Sequence, residues 1–227
     1  MKILITGTSR GLGLELASRY VEGGHQVFAA TRNGQLPPGL KATPIALDVA
    51  SAVSIEGAVA ALATHTGALD LLINNAGVYS GAGTRLAEKL GDLRIADAHK
   101  VLIVNTVGPI LIAQAFREML LRGTNPKLAN ITSVLGSLER NAGGVPYHYG
   151  ASKAGLNSYM RTFAADPLTR GITTLLLHPG WVQTDMGGPN APLTIPESVA
   201  GMMKVIDGAT PQNNGQWFDY TGTPIPW

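Results

Sequence analysis

The 227-residue chain has no cysteine. Disulfides, a thiolate nucleophile and cysteine-ligated metals are therefore excluded. Charge is sparse: Asp, Glu, Lys and Arg make up 14% of the residues, against about 25% in an average soluble domain. The net charge of +2 is too small and too evenly spread for a nucleic-acid footprint. Low charge also hints that a partner subunit covers some apolar surface. No uncharged apolar run reaches the roughly 18 residues of a membrane span. Lys2–Thr6 runs straight into a glycine-rich turn, so no signal peptide is expected and a cytoplasmic location is the default. The five histidines, His25, His65, His99, His148 and His178, lack metal-ligand spacing and read as structural or solvated. No metal is expected.

What is present is a regular alternation. Short apolar runs lie at Ile3–Thr6, Gln26–Ala30, Thr43–Leu47, Leu69–Asn74, Leu128–Ser133, Thr173–His178 and Gln216–Tyr220. Such runs read as strands buried on both faces of a parallel sheet. Helical spacing fills the gaps: Leu12, Leu16 and Tyr20; Ile55, Val59 and Leu62; Val104, Gly108, Leu111 and Ala115; Leu156, Met160 and Phe163. Pro196-Glu197 looks like a helix first turn. The prediction is one α/β domain over residues 1–227, a Rossmann-type doubly wound parallel sheet of about seven strands with helices on both faces. Ligands in such sheets bind beyond the carboxyl ends of the strands.

The residues at those ends carry chemistry. Thr6-Gly7-Thr8-Ser9-Arg10-Gly11-Leu12-Gly13 joins the first strand to the first helix. Its glycines permit a tight turn, close approach of backbone to a diphosphate, and close packing of helix on sheet. The helix N-terminus offers N–H groups and a positive dipole end to phosphate. After the second strand, no acid occurs from Val27 to Gln35 to hold a ribose 2′-hydroxyl. Arg32, with Arg10, either brackets a 2′-phosphate or is simply solvated. Asp48, after the third strand, either accepts from an adenine amino group or caps the helix beginning near Ser51. Asn74-Asn75-Ala76-Gly77 follows the fourth strand with small residues suited to a cofactor wall. Asn105 sits inside a helical pattern, where it competes with the backbone and suggests a kink or an ordered water. Tyr149 and Lys153 share a helix face at i, i+4. An adjacent ammonium is expected to lower the phenol's pKa and make Tyr149 an acid/base. Ser133, at the fifth strand's end, can hydrogen-bond a substrate oxygen.

Taken in order with Pro179-Gly180-Trp181-Val182-Gln183-Thr184, these motifs resemble the short-chain dehydrogenase/reductase family along nearly the whole chain. The length, the two arginines and the ending Trp217-Phe218-Asp219-Tyr220…Trp227 look most like its C-factor and sniffer-type carbonyl reductases. The resemblance implies catalytic roles for Asn105, Ser133, Tyr149 and Lys153. Tyr149 would protonate the carbonyl oxygen, Ser133 would orient it, Lys153 would hold the nicotinamide ribose, and Asn105 would anchor a relaying water. It implies NADP(H) as cofactor, held by Gly7, Ser9, Arg10, Gly11, Leu12, Gly13, Arg32, Asp48, Val49, Asn75, Ala76, Gly77, Tyr149, Lys153, Pro179, Gly180, Val182 and Thr184. It also implies a homodimer or homotetramer.

Two segments depart from the family pattern. Ser133 and Tyr149 are separated by a few residues more than in many members, through the glycine-rich stretch 136–146. The stretch from Thr184 to Pro196 is short for a substrate lid, which predicts an open cleft. Tyr79, Leu135, Val145, Tyr147, Trp181 and Met186 are the pocket candidates, and their character favours an apolar carbonyl substrate. The leading expectation is NADPH-dependent reduction of a ketone or aldehyde. The rivals are an NAD-linked alcohol dehydrogenase and a nucleotide-binding regulator.

Overall fold

A computed structural model describes residues 1–80, 90–144 and 146–227. All seven strand expectations correspond to strands: β1 (Lys2–Thr6), β2 (Gln26–Thr31), β3 (Thr43–Ala46), β4 (Leu71–Asn74), β5 (Lys127–Ile131), β6 (Thr173–His178) and β7 (Gln216–Asp219). They form one parallel sheet in the order β3-β2-β1-β4-β5-β6-β7. The chain winds outward from β1 in one direction and from β4 in the other. The order therefore reverses between β1 and β4, and a crevice opens beyond their carboxyl ends.

Among the described residues, six α-helices flank the sheet: α1 (Gly11–Glu22), α2 (Ala52–Ala63), α3 (Ile95–Leu102), α4 (Gly108–Leu121), α5 (Tyr147–Ala165) and α6 (Ile195–Gly208). The side-chain period of a strand is two, so neighbours serve opposite layers. Leu4, Phe28, Leu72, Leu128 and Leu176 join the core under α2, α4 and α5, with Ile55, Phe116 and Leu156. Ile3, Ile5, Val27, Leu71, Ile73, Leu175 and Leu177 join the core under α1 and α6, with Leu16, Tyr20, Met202 and Ile206. Both faces of each central strand are covered, hence the unbroken apolar runs in the sequence.

The structure departs from the sequence reading around Asn105. Residues Ile103–Val107 form one π-helical turn between α3 and α4. The extra residue in that turn offsets the two helices, and Leu111, assigned to the apolar stripe, lies 37% exposed. The rest of the stripe faces inward, Gly108 buried and Val104 and Ala115 packed against the core, beside Ile112, Phe116, Met119 and Leu120 of α4. α3 carries no expectation from the apolar pattern, because Ile95 and Leu102 are exposed and only Val101 is buried. The helical run Ile95–Leu121 is long and apolar enough to cross a membrane by length and composition, yet Phe116 and its neighbours pack into the core.

Phe116 is fully buried beneath the sheet. Phe116→Ala is expected to lower unfolding stability by about 3–5 kcal/mol, read as a lower urea midpoint at unchanged slope.

Candidate active site

The crevice is built on a knot between the ends of β1 and β4. The Thr6 hydroxyl oxygen accepts from the Asn75 N–H (3.0 Å) and the Ala76 N–H (3.1 Å). The Asn75 side-chain amide donates back to the carbonyls of Thr6 (2.9 Å) and Gly7 (3.1 Å). Gly7 adopts φ +72°, and a Cβ there would lie 2.8 Å from the Ala76 Cα. A Cβ on Gly13 would collide with the Gly7 carbonyl oxygen and the Asn75 amide. Gly11, at φ +59°, is open apart from the Thr184 methyl at 3.8 Å. The first turn of α1 has no acidic residue and no side-chain cap, so its N–H groups and positive dipole end point into the crevice. This cradle fits a dinucleotide diphosphate.

The rim residues fall as follows. Arg10 is paired with Asp185 across the crevice (2.9 Å), both side chains being well exposed. Arg32 is exposed at the end of β2. The cap of α2 is Ser51, whose hydroxyl accepts from the Ser54 N–H, and not Asp48. Asp48 instead accepts from the Ala50 N–H at 3.0 Å in the turn before it, and Val49 is buried. Beyond β6, Pro179 accepts from the Ser198 hydroxyl and Gly180 stands at φ +85° against Leu193 and Tyr220. Val182 pairs with Leu193, and the Thr184 hydroxyl accepts from the Gly187 N–H at 2.9 Å.

Ser133, Tyr149 and Lys153 come together in the crevice wall. Ser133 lies past the end of β5 and opens a short 3₁₀ turn, its hydroxyl accepting from the Leu135 N–H at 3.2 Å. Tyr149 and Lys153, one turn apart on α5, are 7% and 5% exposed. Burial pushes the Tyr149 phenol up to about 12; a hydrogen bond from Ser133 opposes this, and Tyr79 adds to it. Burial likewise pushes Lys153 down to about 8. This corrects the expectation that the ammonium lowers the phenol. Lys153 Nζ donates to the Ile131 carbonyl at 2.9 Å and stands 5.8 Å from the Tyr149 ring centroid. Desolvation is the largest cause of both shifts.

Asn105 is fully buried in the π-helical turn. Its side-chain oxygen accepts from the Val78 N–H (2.8 Å), and its amide donates to the Val78 carbonyl (2.7 Å) and the Ser152 hydroxyl (3.1 Å). Ser152 in turn donates to the Tyr149 carbonyl at 2.7 Å. Asn105 thus ties the loop after β4 to the helix that carries Tyr149 and Lys153. A Cβ on Gly77 would meet Asn105 Oδ1 at 3.3 Å and Lys153 Nζ at 3.8 Å. Ser152 was not singled out in the sequence. A small polar residue on the buried face of α5, three residues after Tyr149, is the signal that could have found it. Asp185 was also missed, since an exposed acid in a loop has no distinguishing pattern.

The pocket candidates separate. Met186 Sδ lies 3.9 Å from the Tyr149 hydroxyl, and the Tyr79 and Tyr149 ring centroids are 5.0 Å apart. Trp181 is exposed, donating to the Gly187 carbonyl. Leu135 and Tyr147 line a cavity of about 560 Å³ shared with Ser137, Gly150 and Ala154, to which Ser133, Tyr149 and Lys153 do not contribute. Val145 lies outside the described residues. His178, at the end of β6, is pushed down to about 4 by burial, with Asp219 opposing and Arg140 reinforcing, and so stays neutral.

The family model described as short chain dehydrogenase matches residues 1–192. "C-signal" of Myxococcus xanthus is 47% identical over 162 residues, covering 71% of this chain and 95% of that protein. The NADPH-bound carbonyl reductase from chicken fatty liver superposes with a TM-score of 0.89 at 30% identity, covering 100% of this chain and 98% of that one. The carbonyl reductase Sniffer of D. melanogaster gives 0.87 at 29% identity, covering 100% and 99%.

The depressed Lys153 carries a prediction about stability. Its folded value near 8 lies below the ordinary 10.5, so folding is penalised by the buried charge. The penalty, about 3 kcal/mol, is full below about pH 8 and vanishes as pH rises through 10.5. Lys153→Met should raise the urea midpoint of the cofactor-free protein at pH 7, less the lost bond to Ile131. That gain should shrink at pH 10. A gain that is absent at pH 7, or that grows with pH, contradicts the burial argument.

Proposed function

The chain belongs to the short-chain dehydrogenase family, and from that premise we propose that it reduces a ketone or aldehyde to the alcohol with NADPH. The observation that carries this reading is the buried Ser133–Tyr149–Lys153 group standing beside the glycine cradle. A phenol pushed up to about 12 holds its proton across the physiological range, the state a proton donor needs for reduction.

The bound dinucleotide would supply the hydride. The backbone from Gly7 to Gly13 would hold its diphosphate, with Asp48 and Val49 toward the adenine, and Asn75, Ala76, Gly77, Pro179, Gly180, Val182 and Thr184 along its length. Ser133 would hold the carbonyl oxygen by its hydroxyl, and Tyr149 would donate its proton to that oxygen. Lys153, released from the Ile131 carbonyl, would hold the ribose hydroxyls. Asn105 would set the spacing between the loop after β4 and α5. A water anchored near Asn105 would return the proton to Tyr149 by way of Lys153.

Arg10 and Arg32, with no acid between Val27 and Gln35, support NADPH over NADH through charge-assisted bonds to a 2′-phosphate. The similarity to an NADPH-bound carbonyl reductase points the same way. Tyr79 and Met186 beside the phenol favour an apolar carbonyl compound. The exposed Ile95, Leu102, Ile103 and Leu111 support a homodimer or homotetramer joined through α3, the π-helical turn and α4; a cytoplasmic location belongs to the same proposal. The second reading, a signalling role, is favoured by the 47% identity to a protein named C-signal. An intact Ser133–Tyr149–Lys153 set weighs against a purely binding role.

The test is NADPH and NADH consumption over a panel of aldehydes, aryl ketones, diketones and quinones. Turnover with NADPH on any member supports the reductase. Tight NADPH binding with no turnover moves the signalling reading forward. Tyr149→Phe is expected to lose about 10²–10⁴-fold in turnover while retaining cofactor affinity. Equal activity removes Tyr149 as the acid. Arg32→Asp is expected to weaken NADPH by about tenfold or more, the loss of a bond to a charged group, and to leave NADH nearly unchanged. An unaltered preference discards the 2′-phosphate argument.

A further inference from the structure

The turn that Ser133 opens does not end in a free loop. Ser137, the residue after that turn, is 2% exposed. Its hydroxyl donates to the carbonyls of Pro226 (2.8 Å) and Trp227 (3.2 Å) and accepts from the Arg140 N–H (3.2 Å). The Trp227 carbonyl also accepts from the Glu139 N–H at 3.0 Å. A hydroxyl has one hydrogen, so Ser137 shares it between two carbonyls of one segment. We propose that Ser137 and the docked segment Pro226–Trp227 are positioning residues for the Ser133–Tyr149 pair. They hold the turn after Ser133 against α5 and so orient the Ser133 hydroxyl at the site.

The contacts run without a gap from the segment to Ser133 and to the α5 backbone one turn after Tyr149. Ser137 N–H donates to the Val134 carbonyl (3.0 Å), and Gly136 N–H donates to the Ser133 carbonyl (2.8 Å). A Cβ on Gly136 would stand 2.8 Å from the Lys153 carbonyl carbon and 2.9 Å from the Ala154 nitrogen. The turn is therefore pressed on the α5 backbone at Lys153, with no slack. Leu135 N–H then donates to the Ser133 oxygen at 3.2 Å, which fixes where that oxygen stands beside Tyr149.

The segment is fastened from the other side as well. The Trp227 ring packs at a tilt of 38° against Trp217 with centroids 5.4 Å apart, and the Arg161 guanidinium stands 4.4 Å over it. Ile225 is buried, and its N–H donates to the Trp217 carbonyl at 3.0 Å. Arg161 lies on α5, two turns beyond Lys153. The same helix thus carries Tyr149, receives the turn from Ser133, and grips the segment that holds that turn.

The inference rests on the reductase reading only for its kinetic consequence, and the experiment separates the two. The full chain is labelled with tyrosine carrying ¹³C at Cζ, and the Tyr149 resonance is assigned by its loss in Tyr149→Phe. Ser133→Ala moves that resonance. Ser137→Ala is expected to move it in the same direction and Arg161→Ala to move it less, with Tyr20 unmoved in both. Where carbonyl turnover is found, Ser137→Ala should lower kcat by roughly ten- to a hundredfold with the KM for NADPH unchanged. A Tyr149 resonance equal to wild type in both variants overturns the proposal. A shifted resonance in a protein that reduces nothing sustains the positioning role and sinks the reductase reading instead. If Ser137→Ala does not fold, the exposed Arg161→Ala decides alone: an unmoved Tyr149 resonance there overturns the proposal.

Discussion

The close approach of β1 to β4 at their carboxyl ends is the constraint on which the rest of the site depends. Two chain segments 68 to 70 residues apart are joined by Thr6 and Asn75 through four hydrogen bonds. Such proximity leaves no room for side chains, so Gly7 and Gly13 must be glycine. The tight fit points the start of α1 into the crevice with its first N–H groups unsatisfied. An ordinary helix would cap those groups with Ser, Thr or Asp. Here the N-cap is Arg10, with no side-chain cap. An uncapped, positive helix end beside a closed knot of backbone is poor for stability and good for phosphate. The chain forgoes a cap worth about 1 kcal/mol and keeps a place for an anion.

The same exchange recurs at α5. A phenol and an ammonium, both nearly buried, sit where apolar side chains would cost nothing. Polar neighbours satisfy each in part: Ser133 favours the charged phenol, and Lys153 donates to the Ile131 carbonyl. Buried ionisable groups in a crevice mark function more often than structure. The direction of the shifts is informative in itself. Low dielectric drives both groups toward neutrality, which keeps the proton on the phenol and loosens the one on the amine.

Much of this architecture is legible in the sequence, for identifiable reasons. A parallel sheet covered on both faces demands unbroken apolar strands, so all seven appear as runs such as Leu71–Asn74. Glycines forced by backbone contact, such as Gly13, leave a fixed spacing. The i, i+4 separation of Tyr149 and Lys153 survives because helix geometry is rigid. What was hidden depends on environment rather than on residue type. The π-helical turn at Asn105 adds a residue to a helix without changing its composition, so Leu111 of the stripe Val104, Gly108, Leu111 and Ala115 lies exposed while the others face the core. The sign of the Tyr149 shift depends on how much water the fold removes, which a motif does not encode. Leu135 and Tyr147 lie near the catalytic residues in sequence but line a cavity with Gly150, Ala151 and Ala154 of α5, to which Ser133, Tyr149 and Lys153 do not contribute.

Asn105 shows why such an irregularity persists. A regular helix through residues 95–121 would bond every interior N–H to the carbonyl four residues before it and leave the buried amide of Asn105 seeking partners. The π-turn instead aims that amide at three groups, the Val78 N–H, the Val78 carbonyl and the Ser152 hydroxyl. The poorer helix geometry is offset by bonds in a dry interior, where an unmade one would cost about 1–3 kcal/mol. The segment after β4 and the helix bearing Tyr149 belong to different parts of the chain, and Asn105 bonds to both. Only a side chain with both a donor and an acceptor can hold them at fixed spacing, and an amide supplies both. The distortion of the helix is thus the local cost of keeping the two walls of the crevice in register.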